Sequence, residues 1–73
     1  MTRDDAKKLL IIITSFYPNF HPDNMSMTID AWAMLLQDDD YKEMETALAV
    51  YARTDTSGFA PSPSKLLDIV ARM

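Results

Sequence analysis

The sequence predicts an all-α protein, a small compact bundle of about four short helices. Three observations carry that expectation. Apolar residues recur at three- and four-residue intervals in successive segments. Residues suited to cap a helix N-terminus stand at or near the start of each of those segments. Prolines, an aspartate run and the single glycine, Gly58, punctuate the chain between them.

The first helix opens with Thr2 as N-cap and with Asp4 and Asp5 in the first turn, where carboxylates meet the positive end of the helix dipole. Ala6, Leu9, Leu10, Ile13 and Tyr17 fall on one face, and Ile12 and Phe16 are expected to widen it. The β-branched run "IIIT" favours strand locally, but the longer helical period outweighs it. Pro18 and Pro22 end this helix and hold "YPNFHPDN" extended, because a residue before proline avoids the α region. The second helix is expected to start near Ser26 or Thr28, with Ile29, Trp32, Ala33 and Leu36 as its inner stripe. Met34 lies off that stripe. One of Asp38, Asp39 and Asp40 should cap the third helix, whose apolar face is Tyr41, Met44, Leu48 and Tyr51. Ser62 followed by Pro63 is the cap-then-proline start of a fourth helix, with Leu66, Ile69, Val70 and Met73 facing inward.

Seventy-three residues support one small domain, spanning 1–73, with a thin stability margin in which caps and turns matter. The absence of cysteine excludes disulfides and thiolate metal sites. The apolar run Leu9 to Ile13 is far too short to span a bilayer, and acids interrupt what would be a signal's basic region. These features point to a cytoplasmic protein with no membrane partner. Seven Lys and Arg stand against eleven Asp and Glu. Such a surface repels phosphate, so direct nucleic-acid binding is not expected and a protein partner is.

Each motif that could carry chemistry has a structural counterpart. Asp55-Thr56-Ser57-Gly58 resembles an aspartic-protease loop, yet that chemistry needs two carboxylates about 3 Å apart on strand-flanked loops. Here the motif follows an Ala-rich helical segment, so it reads as a hinge. Asp55, Thr56 and Ser57 satisfy backbone groups at a helix end and Gly58 supplies a positive φ. Asp38, Asp39 and Asp40 lack the alternate spacing, glycine and distant glutamate of a calcium loop, which leaves a cap and a negative patch. His21 has no second histidine or any cysteine to share a metal. Trp32 reads as a core residue, and most of the six methionines as core filling. No pair of residues supplies a nucleophile with its base, so neither catalytic residues nor a cofactor is expected.

Taken in order, "MTRDDAKKLLIII" running into "YPNF", the lone Trp32 in "AWAMLL", a helix ending at Tyr51, and "GFAPSPSKLLDI" form a recognisable series. It resembles the bacteriophage proteins that load and inhibit ring-shaped hexameric replicative helicases, known from phages of Gram-positive bacteria. The resemblance runs from Thr2 to about Val70. Its most telling part is the turn Gly58-Phe59-x-Pro61-Ser62 before an apolar helix, with Phe59 expected to close one end of the bundle. Ala60 stands where the family often has a second proline, and Pro63 where it tends to have an apolar residue. Both departures fall within the turn.

The resemblance implies a non-catalytic partner of the phage replisome. It would bind the helicase hexamer, restrain its ATPase and unwinding, and help deliver it to the phage origin through an origin-binding protein. It also implies a polar, mobile tail that would begin where this sequence ends, at Met73. Helicase subunits bind nucleotide and nucleic acid and so offer basic surfaces. The acidic patch Asp38, Asp39, Asp40 and Glu43 is therefore the expected contact of the domain itself. The alternative is a small phage regulator that binds DNA through a helix-turn-helix, against which the net charge argues.

Overall fold

A computed structural model describes residues Met1–Met73. Four helices occur in the order α1 (Arg3–Phe16), α2 (Met25–Leu35), α3 (Tyr41–Thr54) and α4 (Pro63–Arg72). Helix α1 packs on both α2 and α3, and α3 packs on α4, giving the spatial order α2–α1–α3–α4. The Cα trace measures 28 × 27 × 15 Å. So flat a body encloses no helix on all sides, and every helix keeps one side for solvent.

The caps are formed by local side chains. Thr2 and Asp5 make a reciprocal capping box: the Asp5 N–H donates to Thr2 Oγ1 at 3.2 Å, and the Thr2 N–H donates to Asp5 Oδ2 at 3.1 Å. These bonds hold the Asp5 carboxyl below its usual pKa. Asp40 caps α3 by accepting from the Glu43 N–H at 3.0 Å. Ser62 caps α4 by accepting from the Lys65 N–H at 3.2 Å, with Pro63 in the first turn, where no N–H is missed. For α2 the cap is Asn24, earlier in the chain than the expected Ser26 or Thr28. The Asn24 side-chain oxygen reaches the Met27 N–H at 3.0 Å. Ser26 and Thr28 therefore lie inside the first turn: the Thr28 hydroxyl donates back to the Asn24 carbonyl at 3.0 Å, and Ser26 accepts from Arg3.

The core gathers Ala6, Leu9, Leu10, Ile13 and Tyr17 of α1 and its cap, Ile29, Trp32 and Leu36 of the second segment, Met44, Ala47 and Leu48 of α3, and Leu66 of α4. Three expected core positions lie elsewhere. Phe16 is 52% exposed, because it sits at the edge of the α1 stripe, where no neighbouring helix covers it. Met73 is exposed beyond the end of α4. Phe59 does not close the bundle: it is 69% exposed, while Pro61 is buried. The Tyr51 hydroxyl donates to the Phe59 carbonyl at 2.8 Å, which draws the Phe59 backbone, and not its ring, onto α3.

The link after α3 is the hinge that the Asp-Thr-Ser-Gly residues lead one to expect. Gly58 has φ 78°, the left-handed region that costs an L-residue about 1–2 kcal/mol. A Cβ there would meet nothing within 4 Å, so the backbone alone sets the penalty. Gly58→Ala is expected to lower Tm by roughly 5–15 °C in a thermal melt followed by circular dichroism, with Gly58→Asn losing less.

Candidate partner-docking surface

The Asp55 carboxylate is the most heavily bonded polar group of the molecule, and its bonds are structural. Oδ1 accepts from the Ser57 hydroxyl at 2.6 Å and the Ser57 N–H at 3.0 Å. Oδ2 accepts from the Gly58 N–H at 3.1 Å and the Tyr17 hydroxyl at 3.1 Å. The Ser57 hydroxyl, followed by the Ser57, Gly58 and Tyr17 donors, holds the carboxyl below its usual range. No second carboxylate shares a proton with it, so the group ties the α3 end to α1 and does no acid–base work.

Tyr17 feels the other side of that pair. Burial, reinforced by the hydrogen bond to Asp55 and its negative charge, pushes the phenol from 10 up to about 12. In the unfolded chain this phenol ionises near pH 10. The stabilisation is therefore complete below pH 10 and is lost as pH rises from 10 towards 12. Tyr17→Phe is expected to remove this component from an alkaline unfolding curve measured by circular dichroism.

Around this hinge lies an open groove of 610 Å³, lined by Phe16, Tyr17, Pro18, Ala49, Ala52 and Arg53 among others. The Tyr17 and Tyr51 rings meet beside it, 6.1 Å apart and tilted by 51°. The groove brings no nucleophile together with a base. His21 is exposed in the α1–α2 link, and nowhere do three His, Asp or Glu side chains gather as metal ligands.

The expected acidic contact maps onto the turn between α2 and α3. Asp38 and Asp40 are exposed, Glu43 is exposed on the first turn of α3, and Asp39 is half-buried. The turn is tied down from the other end of the chain: the Met1 ammonium donates to the carbonyls of Leu36 (2.9 Å), Gln37 (3.0 Å) and Asp39 (2.7 Å). A positive group thus sits on the negative end of α2. The structure therefore gathers all four predicted residues at one corner, with Asp40 also occupied as a cap.

Sequence periodicity missed the surface beside that corner. Met27 is 67% exposed, Met34 70% and Leu35 58%, and the small Ala31 between them is exposed too. At i, i+4, i+7 and i+8 these residues share the outward face of α2, opposite Ile29, Trp32 and Leu36. Among them only Met34 is marked out in the sequence, by its position off the inner stripe. The available signal was the whole segment: in "MSMTIDAWAML" the only charge is Asp30, and a helix apolar all round is one that other matter covers. The charges around it are one-sided. Residues 9–41 contain Asp23, Asp30, Asp38, Asp39 and Asp40 but none of the seven Lys and Arg. Arg3 reaches in from α1 to pair with Asp30 at 2.6 Å. The bases are scattered over α1, α3 and α4, and no helix offers the basic face that the DNA-binding alternative requires. No helix is long and apolar enough to cross a membrane.

Comparison with known proteins places these features in a family. The model of the N-terminal domain of the phage gene-39 protein matches residues 1–67. A solved structure, described as a truncated variant of the helicase loader/inhibitor protein of the B.subtilis phage SPP1, superposes with a TM-score of 0.83 at 31% sequence identity. The match covers 90% of this chain and 97% of that one. No curated protein matches. The expected resemblance to phage helicase loader/inhibitors is thereby borne out, and the chain belongs to the gene-39 protein N-terminal domain family.

Proposed function

We propose that this chain is a phage DNA-replication accessory protein that works by occupying a protein surface in the host cytoplasm. It binds a hexameric replicative helicase, restrains the ATPase and unwinding of that enzyme, and helps load it at the phage origin through an origin-binding protein. The observation that carries this reading is the match over 90% of the chain, at TM-score 0.83, to a helicase loader/inhibitor. The chain contributes no catalytic residue: its one motif of catalytic appearance is spent on its own hinge.

The domain's electrostatic contact is the corner formed by Asp38, Asp39, Asp40 and Glu43, which meets a basic surface of the helicase subunit. Opposed charges at a rim mainly speed association and fix orientation. The test changes charge without removing the α3 cap. Asp38→Lys, Asp39→Lys and Glu43→Lys are combined with Asp40→Asn, since asparagine caps about as well as aspartate. Helicase affinity is expected to fall by about tenfold or more, mainly through slower association, with the loss shrinking at high salt. Unchanged affinity would remove the corner from the contact. A wild-type chain that neither binds the helicase nor slows its ATPase would overturn the function.

A further inference from the structure

We propose that the outward face of α2 is a second, apolar docking surface, and that it receives a basic amphipathic helix displayed by the helicase subunit; this rests on the helicase-binding reading above. Single exposed apolar residues are ordinary on protein surfaces, whereas a contiguous patch marks contact. Here Met27, Met34 and Leu35 stand 58–70% exposed on one side of a helix whose opposite side is already filled by Ile29 and Trp32. Nothing in the domain's own packing requires apolar residues on the outer side, because α2 packs mainly against α1. Spacing of i, i+4, i+7 and i+8 is that of a helical anchor row, and methionine side chains adapt to an irregular partner.

The charges select the occupant. Asp23 lies just before α2 and Asp38, Asp39 and Asp40 just after it, and no Lys or Arg occurs from 9 to 41. Arg3 is already engaged by Asp30 and Ser26. An apolar stripe with acids at both ends is complementary to an apolar row flanked by Lys or Arg. The same frame opposes a second copy of this chain. A two-fold pairing places one patch on its own duplicate and would bring these aspartates together.

Two measurements decide it. In the first, the variant M27Q/M34Q/L35Q is titrated against the hexameric helicase, with F59Q as an exposed apolar control away from α2. The triple variant is expected to keep its melting curve and lose about a hundredfold in affinity, with F59Q unchanged; wild-type affinity in the triple variant overturns the proposal. In the second, 13C-methyl methionine spectra of the chain are followed during addition of a designed Leu/Lys amphipathic helical peptide, then of its Leu/Glu counterpart. The Lys peptide is expected to shift Met27 and Met34 and leave buried Met44 in place, while the Glu peptide shifts neither. Movement with both peptides or with neither overturns the basic-helix assignment. Movement with protein concentration alone replaces it by self-pairing. If the wild-type chain binds no helicase, the functional reading and the partner named here fail together. The peptide titration then decides the chemistry of the surface independently.

Discussion

Leu10→Ala is expected to leave most of the domain unfolded at physiological temperature. Leu10 is fully buried in α1, the helix that holds both α2 and α3. Truncating such a leucine costs its transfer free energy plus a cavity that the surroundings only partly fill, about 3–5 kcal/mol. A 73-residue domain has roughly 4–11 kcal/mol in total at the usual per-residue stability. The variant therefore forfeits a large share of its stability. Urea unfolding followed by circular dichroism checks this. Leu10→Met conserves volume, should cost less than about 1.5 kcal/mol, and separates cavity formation from mere substitution. A midpoint for Leu10→Ala close to wild type would show that the core tolerates a void at its centre.

Trp32→Ala should act more locally and bear more directly on binding. Trp32 is 8% exposed and, with Ile29 and Leu36, is what α2 sets against α1. Its loss costs about 3–5 kcal/mol by the usual range for a buried aromatic. The other tie visible between the two helices is the network of Arg3 with Asp30 and Ser26. That ion pair is half-exposed or more on both sides and is worth at most about 1 kcal/mol. Helix α2 should therefore loosen before α3 and α4, which hold each other. Hydrogen exchange reads this out as faster exchange in Met25–Leu35 than in Tyr41–Thr54. Uniform acceleration across all helices would mean that the domain opens as one unit. If α2 carries a docking face, helicase affinity should fall in parallel with its protection.

Much of this was legible in the residues because it is local chemistry. Thr2 with Asp5, Asp40 with Glu43, and Ser62 before Pro63 lie within one helical turn of the groups they satisfy. The hinge was legible for the same reason, since Asp55 bonds residues two and three positions ahead. The miss at α2 was also local. Asn24, Ser26 and Thr28 are all competent caps, and the choice among them depends on where the extended Pro22 segment delivers the chain. The acidic corner could be named, but what lies next to it could not.

The sequence by itself determined that there are four helices, where three of them begin, which stripe of each is buried, and that Asp55 and Gly58 form a turn and not a catalytic loop. Each follows from interactions a few residues long. Only the tertiary structure decided that Tyr17 reaches Asp55 across the fold, that Phe16 and Phe59 face solvent, and that Met27, Met34 and Leu35 lie bare beside the aspartates. The physical reason is that periodicity reports an apolar side chain but not a neighbour. Whether a second helix arrives to cover it depends on how a flat, four-helix body distributes too few surfaces over too many apolar residues.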